Sequence, residues 1–211
     1  MRHALLLAAM ALAAGCSKGP EPPPAAAPAG GAAAEGTVAA GLDTSARLVG
    51  RVQASSLAVV ALEPKTARTF PQQTERPVMD QVGQTFGPEV LLVRTGEPVE
   101  FRNSDDTLHN VHVTHEETRV PAFNVAIPTD NSYTYTFQKD GFYRVGCDIH
   151  PAMAASVFSA STPYVTLAEP DGRFTIADVA PGAYTATVYT AGRKLQRAVE
   201  AKSGVVEFTI E

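Results

Sequence analysis

Short runs rich in β-branched and aromatic residues recur from about Leu48 onward, and Gly, Pro, Asp or Asn bound most of them. Such runs predict β-strands, and no stretch after residue 40 repeats its apolar residues at the spacing of an amphipathic helix. In YTYTFQ, Tyr133, Tyr135 and Phe137 alternate with polar residues, so they share one face of a strand. The other strands predicted before residue 163 are 57–63, 88–94, 98–102, 110–114, 141–147 and 155–161.

Many short strands with frequent turns predict an all-β chain built as a β-sandwich or barrel with Greek-key connections. A second, smaller β segment is predicted over 163–211, where turns such as PDGR and APGAY separate further strands. The first β domain is assigned to 47–162. The strands within 47–64 fit either part, and if they belong to the second sandwich, the first domain is an insertion within it.

The first residues predict a secretory signal. A basic start precedes an unbroken apolar run from Ala4 to Ala14, and small residues then stand directly before Cys16. LAAGC resembles the lipobox of bacterial lipoproteins, which implies removal of residues 1–15 and acylation of Cys16. The protein is therefore expected to be exported and lipid-anchored to a bacterial membrane facing the periplasm. Ser17 favours the outer membrane. The alternative is an ordinary signal peptide in which Cys16 is incidental.

Residues 16–46 predict a tether between the anchor and the folded part. KGPEPPPAAAPAGGAAAEG is composed of Pro, Ala and Gly with almost no large apolar side chains, so it cannot bury enough surface to fold. No apolar run in the chain approaches the roughly 18 residues of a membrane-spanning helix.

Charge and composition exclude several function classes. The net charge is −5, it becomes more negative by one when Arg2 is removed with the signal, and no basic patch indicates a nucleic-acid partner. Hydrolase, transferase and nucleotide-binding motifs are absent from the sequence. A catalytic role for Cys147 lacks an orienting residue and oxyanion donors, so the chain is not expected to be an enzyme.

The two cysteines of the chain pose a specific question. If Cys16 is acylated, Cys147 has no partner within the chain, although exported proteins normally pair their thiols. Ligation of a metal would protect this thiol, whereas burial as a small apolar residue is the alternative. CDIHPAM places His150 and Met153 three and six residues after the cysteine. A second histidine would complete the imidazole, thiolate and thioether set of a blue-copper site.

That histidine is expected in LHNVHVTH, and its strand alternation puts His109 and His115 on one face and His112 on the other. His112 is expected inside the barrel or hydrogen-bonded, and His115 at the surface near a loop. A separate zinc or copper site made of these three histidines is a competing interpretation.

FRNSDDTLHNVHV followed by GFYRVGCDIHPAM resembles the cupredoxins, the small type 1 copper proteins, over roughly 77–159. The Cys-x-x-His-x-x-Met spacing is most similar to amicyanin. The resemblance implies one mononuclear type 1 copper held by His109, Cys147, His150 and an axial Met153. It also implies that Asn110 hydrogen-bonds across to the cysteine loop.

The sequence from 163 onward resembles the carboxypeptidase regulatory-like or transthyretin-like β-sandwich, on the pattern G-x-F-x-I…V-x-P-G-x-Y. No cysteine or histidine lies in this part of the sequence, so no metal chemistry is expected there.

The function implied by the resemblance is single-electron transfer outside the cytoplasm by a monomer that meets its redox protein partner transiently. Copper storage, delivery or sensing by the same ligands is the alternative. A structural envelope lipoprotein with a vestigial metal site is a third interpretation.

Overall fold

A computed structural model of the chain describes residues 45–53, 57–190 and 193–210. The predicted signal segment, Cys16 and almost all of the tether lie outside the described residues. Among those described, no helix is long and apolar enough to cross a membrane.

The described chain consists of β-strands joined by turns and loops, which confirms the all-β prediction. Its sixteen strands are β1 (Ala46–Val52), β2 (Ala58–Pro64), β3 (Val78–Val82), β4 (Thr85–Gly87), β5 (Val90–Arg94), β6 (Pro98–Asn103), β7 (His109–His115), β8 (Pro121–Ile127), β9 (Ser132–Thr136), β10 (Gly141–Gly146), β11 (Ala154–Ala160), β12 (Val165–Leu167), β13 (Arg173–Val179), β14 (Gly182–Thr190), β15 (Arg193–Ala201) and β16 (Gly204–Ile210).

Strands β3 to β11 form a sandwich of two sheets. One sheet has the order β5-β11-β10-β7-β8 and the other has the order β4-β3-β6-β9. Each strand alternates between an inner and an outer face, so the inner side chains of both sheets share one apolar core. Its most buried members include Met79, Val99, Phe101, Val111, Val113, Phe137, Val145 and Val157.

The remaining strands form a second pair of sheets. One has the order β13-β1-β16 and the other has the order β12-β2-β14-β15. β1 and β2 thus pair with the C-terminal strands, and β3 to β11 stand between β2 and β12 in chain order. The core of this second sandwich includes Leu48, Val60, Leu62, Phe174, Ile176, Tyr184 and Val188.

A third apolar cluster joins the two sandwiches. Phe158 and Ala160, on the outer face of β11, pack together with Val59 and Ala61 of β2 in this cluster. The ring of Phe158 lies 4.8 Å from that of Tyr189 on β14, measured between centroids. β2 is therefore covered on both faces, which explains why five consecutive residues from Ala58 to Leu62 are all buried.

Candidate metal centre

Strand pairing brings the first histidine to the cysteine loop. β7 runs antiparallel to β10 with His112 opposite Gly146, so the start of β7 extends past the end of β10. Cys147 follows β10 directly, and both His109 and Cys147 are buried on the core side. Residues 38 positions apart in the chain therefore meet at one end of the sandwich.

The loop after Cys147 turns back on itself. The backbone N–H of Met153 donates to the carbonyl of His150 at 2.9 Å, and Pro151 between them restricts the backbone. His150 therefore lies on the side of Cys147, and the residue is partly exposed. The Met153 side chain is buried in the same apolar cluster as Cys147.

Three ligand atoms converge at this end of the sandwich. The Nδ1 atoms of His109 and His150 are 2.9 Å apart, and the Sγ atom of Cys147 lies 3.9 Å from the first and 3.8 Å from the second. Among the described residues these three form the group that could hold a metal ion.

The dimensions of this triangle fit a metal ion. A triangle with sides of 2.9, 3.9 and 3.8 Å has an in-plane point about 2.1 Å from every corner, close to typical metal–imidazole and metal–thiolate lengths of about 2.0–2.3 Å. These three residues would thus hold one ion with little movement of the protein. Two imidazoles and one thiolate are also the trigonal donor set that suits copper in electron-transfer sites.

A carboxylate orients His109 from behind. The Nε2 atom of His109 lies 3.0 Å from Oδ2 of Asp105, so Nε2 carries the proton and Nδ1 is left with its lone pair facing Cys147. The backbone N–H of Gln84 donates to the same carboxylate oxygen at 2.8 Å. This bond first, and the one from His109 second, lower the pKa of Asp105. Such carboxylate–histidine pairs fix the ring and the tautomer of a metal ligand.

Asn110 ties the cysteine loop to β7. Its Oδ1 accepts hydrogen bonds from the Cys147 thiol at 3.3 Å and from the backbone N–H of Asp148 at 2.7 Å. Its Nδ2 donates to Oδ1 of Asn124 at 2.8 Å and to Oδ2 of Asp148 at 3.0 Å. The Asn110 side chain thus holds both the sulfur and the backbone that follows it.

His112 does not join His109. It lies on the outer face of β7, where its Nδ1 donates to Oδ1 of Asp148 at 3.0 Å. This bond is the largest cause of the lowered pKa of Asp148, and a bond from Asn124 is the next. Of the two environments predicted for His112, the hydrogen-bonded one is observed and the barrel interior is not.

The prediction that His115 lies at the surface is wrong. Its side chain is buried because an odd-numbered residue of β7 faces the core like His109. Its Nδ1 accepts from the backbone N–H of Thr118 and its Nε2 donates to the carbonyl of Asp140. His109 and His115 are six residues apart on one strand, about 20 Å, so the three histidines do not assemble a separate metal site.

Sequence reasoning missed three residues of the centre: Asp105, Asn124 and Asp148. Asp105 lies four residues before His109, and Asp148 directly follows Cys147. This closeness in sequence to the ligands could have marked both carboxylates as candidates for the centre. Asn124 lies on β8, a strand that was not predicted.

Comparison with protein families gives two partial matches. Residues 77–158 match the model of copper binding proteins of the plastocyanin/azurin family, and residues 148–205 match the model of polysaccharide lyase family 4, domain II. The carboxypeptidase regulatory-like assignment of the C-terminal part stays a prediction. No curated protein matches the chain.

Similar solved structures are cupredoxins and a larger copper enzyme. A purple cupredoxin from Nitrosopumilus maritimus is 19% identical, with a TM-score of 0.36 over 40% of this chain and 99% of that one. Amicyanin from Paracoccus versutus is 21% identical, with a TM-score of 0.38 over 42% of this chain and 85% of that one. A copper-containing nitrite reductase from Thermus scotoductus SA-01 is 25% identical, with a TM-score of 0.39 over 47% of this chain and 26% of that one.

Proposed function

We propose that this protein is a membrane-anchored type 1 copper protein that carries single electrons between redox partners outside the cytoplasm. One copper ion would be held by His109, Cys147 and His150, with the thioether of Met153 as a fourth ligand. The observation that carries the proposal is the triangle of two Nδ1 atoms and one Sγ atom, whose dimensions fit one ion in its plane.

The donor set favours electron transfer. These ligands would let a bound copper accept one electron from a redox partner or give one to it, because thiolate stabilises Cu(I) and imidazole stabilises Cu(II). The chain's part is to hold its ligands still in both states. Asp105 fixes the His109 ring, Asn110 fixes the sulfur, and the Met153 N–H closes the loop that carries His150.

His150 gives the site an edge at the surface. It is partly exposed, and two large apolar side chains beside the ligands are also exposed: Leu108 at 47% and Ile149 at 49%. Pro151 and Ala152 continue this surface. An apolar surface around a partly exposed imidazole would let a redox protein dock briefly, and an electron would pass without substrate binding or bond chemistry.

A lipid anchor at Cys16 would place this activity at a membrane. The proposal takes residues 1–15 as the signal, Cys16 as the lipidated residue and 16–46 as the tether of a monomer in the periplasm, with the outer membrane favoured. The support is the apolar run, the LAAGC sequence and the Pro/Ala/Gly composition. A tether of this length would allow the docking surface to reach a partner in the same membrane.

The second sandwich is proposed as a support for the copper domain. We infer that 47–64 and 163–211 form one sandwich and that the residues between them form the copper domain, and the pairing of β1 and β2 with the C-terminal strands supports this division. The second sandwich contacts the copper domain at Phe158 and Ala160. Both residues lie toward the end of β11 that is away from the cysteine loop.

The experiment is a reversible redox titration of the copper-loaded protein, followed by challenge with a Cu(I) chelator. A carrier keeps its copper through repeated one-electron cycles and transfers little to the chelator. Rapid transfer of Cu(I) without stable cycling would replace electron transfer with copper delivery. Failure to bind copper would favour the third interpretation, a structural envelope lipoprotein with a vestigial metal site.

A further inference from the structure

A cluster of polar side chains outside the ligand set surrounds Asp148. One oxygen of its carboxylate accepts from Nδ1 of His112 at 3.0 Å. The other oxygen accepts from Nδ2 of Asn124 at 2.8 Å and from Nδ2 of Asn110 at 3.0 Å. Three side chains from two strands therefore fix one carboxylate, which lies directly after Cys147 in the chain.

The arrangement of donors in this cluster leaves one consistent assignment. An ionised carboxylate only accepts, so His112 must donate from Nδ1 and both amides must turn their nitrogens toward Asp148. Asn124 then presents its oxygen to the second hydrogen of Asn110 Nδ2, at 2.8 Å. The Asn110 oxygen is thereby turned toward Cys147 and the backbone N–H of Asp148.

Strand register builds this cluster on the outer face of the sheet. His112 lies opposite Asn124 on β8 and opposite Gly146 on β10. The Asp148 carboxylate, two residues beyond Gly146, reaches His112 on this face. The cluster is half open to solvent, with 38% of the His112 side chain and 56% of the Asp148 side chain exposed.

We propose that His112 and Asn124 are positioning residues for Cys147, acting through Asp148 and Asn110 on the hydrogen bond at the sulfur. The expected effects on copper binding rest on the proposed function, whereas the expected effect on the reactivity of the metal-free Cys147 thiol does not. Removing the His112 donor frees one oxygen of Asp148, and the carboxylate can then rotate away from both amides. Asn110 loses the partner that orients its amide, and the sulfur loses a fixed neighbour.

The variants are His112→Leu and Asn124→Ala, each made in the full chain with Cys16→Ser so that Cys147 is the sole thiol. His112→Asn is the rescue variant, because its amide nitrogen occupies the same δ position as the imidazole donor. Thr114→Ala is the control. Thr114 lies two residues after His112 on β7 and therefore on the same outer face. Among the side-chain contacts described, it has no bond to Asp148.

The first readout is the alkylation rate of Cys147 by iodoacetamide in metal-free protein. We expect at least a threefold change in His112→Leu and Asn124→Ala, and the parent rate in His112→Asn and Thr114→Ala. The second readout is copper itself. The affinity is expected to fall about 10–100-fold, as for other groups that orient metal ligands, with a shift of the thiolate-to-copper absorption energy and of the reduction potential.

A double-mutant cycle separates positioning from general loosening. If His112 acts through Asn110, His112→Leu has no further effect in an Asn110→Ala background, whereas independent effects add. Additive effects, or a His112→Leu protein that matches Thr114→Ala in both readouts, would overturn the inference. A parent protein with no thiolate-to-copper absorption would instead overturn the proposed function, and the alkylation rates would still decide the inference.

Discussion

The Nδ1 atom of His109 lies 2.9 Å from the Nδ1 atom of His150, although 41 positions separate the two residues in the chain. His109 begins a core strand and His150 lies on a loop beyond the neighbouring strand. Their contact therefore depends on the antiparallel pairing of β7 with β10. The ligand triangle exists only in the folded chain, and the groups behind it decide how well it holds an ion.

Asp105→Asn is expected to weaken copper binding about 10–100-fold. The variant lacks the carboxylate that accepts from His109 Nε2. The imidazole is therefore less firmly oriented, and its Nδ1 lone pair binds a metal ion less strongly. Competition with a chelator of known affinity measures the change. Asp106→Asn is the matched control, since the neighbouring carboxylate has no described bond to His109. Equal affinities in the two variants would contradict this role for Asp105.

Electron exchange with small complexes is expected to depend on their charge. The loops at the metal end of the sandwich, 83–84, 104–108, 128–131 and 147–153, carry Asp105, Asp106, Asp130 and Asp148 but no Lys or Arg. With a cationic ruthenium ammine the second-order rate should therefore fall as salt is raised, and with ferricyanide it should rise. Stopped-flow absorbance measures both rates. The same salt dependence for both reagents would show that this negative charge does not act on docking.

Phe158→Ala is expected to lower the free energy of unfolding by about 3–5 kcal/mol, the usual cost of removing a buried phenylalanine ring. Phe158 is 1% exposed and its ring lies 4.9 Å from that of Phe142 and 4.8 Å from that of Tyr189. Urea titration measures the change. Val205→Ala is the exposed control and should stay within about 0.5 kcal/mol. A loss below about 1 kcal/mol in Phe158→Ala would contradict a packed contact between the two sandwiches.

Asp171→Asn should flatten the acid dependence of stability. A bond from the backbone N–H of Arg173, and then the positive charges of Arg173 and Arg51, lower the pKa of Asp171 below 3.8. The unfolded chain therefore binds a proton at this residue before the folded chain does. The stabilisation of the folded state by ionised Asp171 is present above pH about 4, and it is lost as the pH falls through the pKa of Asp171 in the folded chain. Urea titrations between pH about 5 and 3 measure the slope, which this prediction requires to be smaller in the variant.

The sequence identified the ligand-type residues because their chemistry is local. Cys147, His150 and Met153 occur within seven residues, and strand alternation separated His109 from His112. The all-β fold class could also be predicted from the sequence, because turn residues and β-branched runs mark most strands of both sandwiches. The face predicted for Tyr133, Tyr135 and Phe137 is the one that packs toward the core.

The missed features depend on tertiary contacts or on weak strand patterns. β8 begins with Pro121 and is half exposed, and β15 buries only Val199 and Ala201, so neither shows a strong alternation. Without β8 the register of His112 with Asn124 could not be derived. His115 is buried although it lies next to a loop, because it shares the core-facing parity of His109 on β7.

The most direct test is the visible spectrum of the full chain carrying Cys16→Ser after addition of one equivalent of Cu(II), compared with that of the same chain carrying Cys147→Ser as well. A bound type 1 copper predicts an intense thiolate-to-copper charge-transfer band in the first protein and none in the variant. A colourless protein that binds zinc equally well with and without Cys147 would contradict the account.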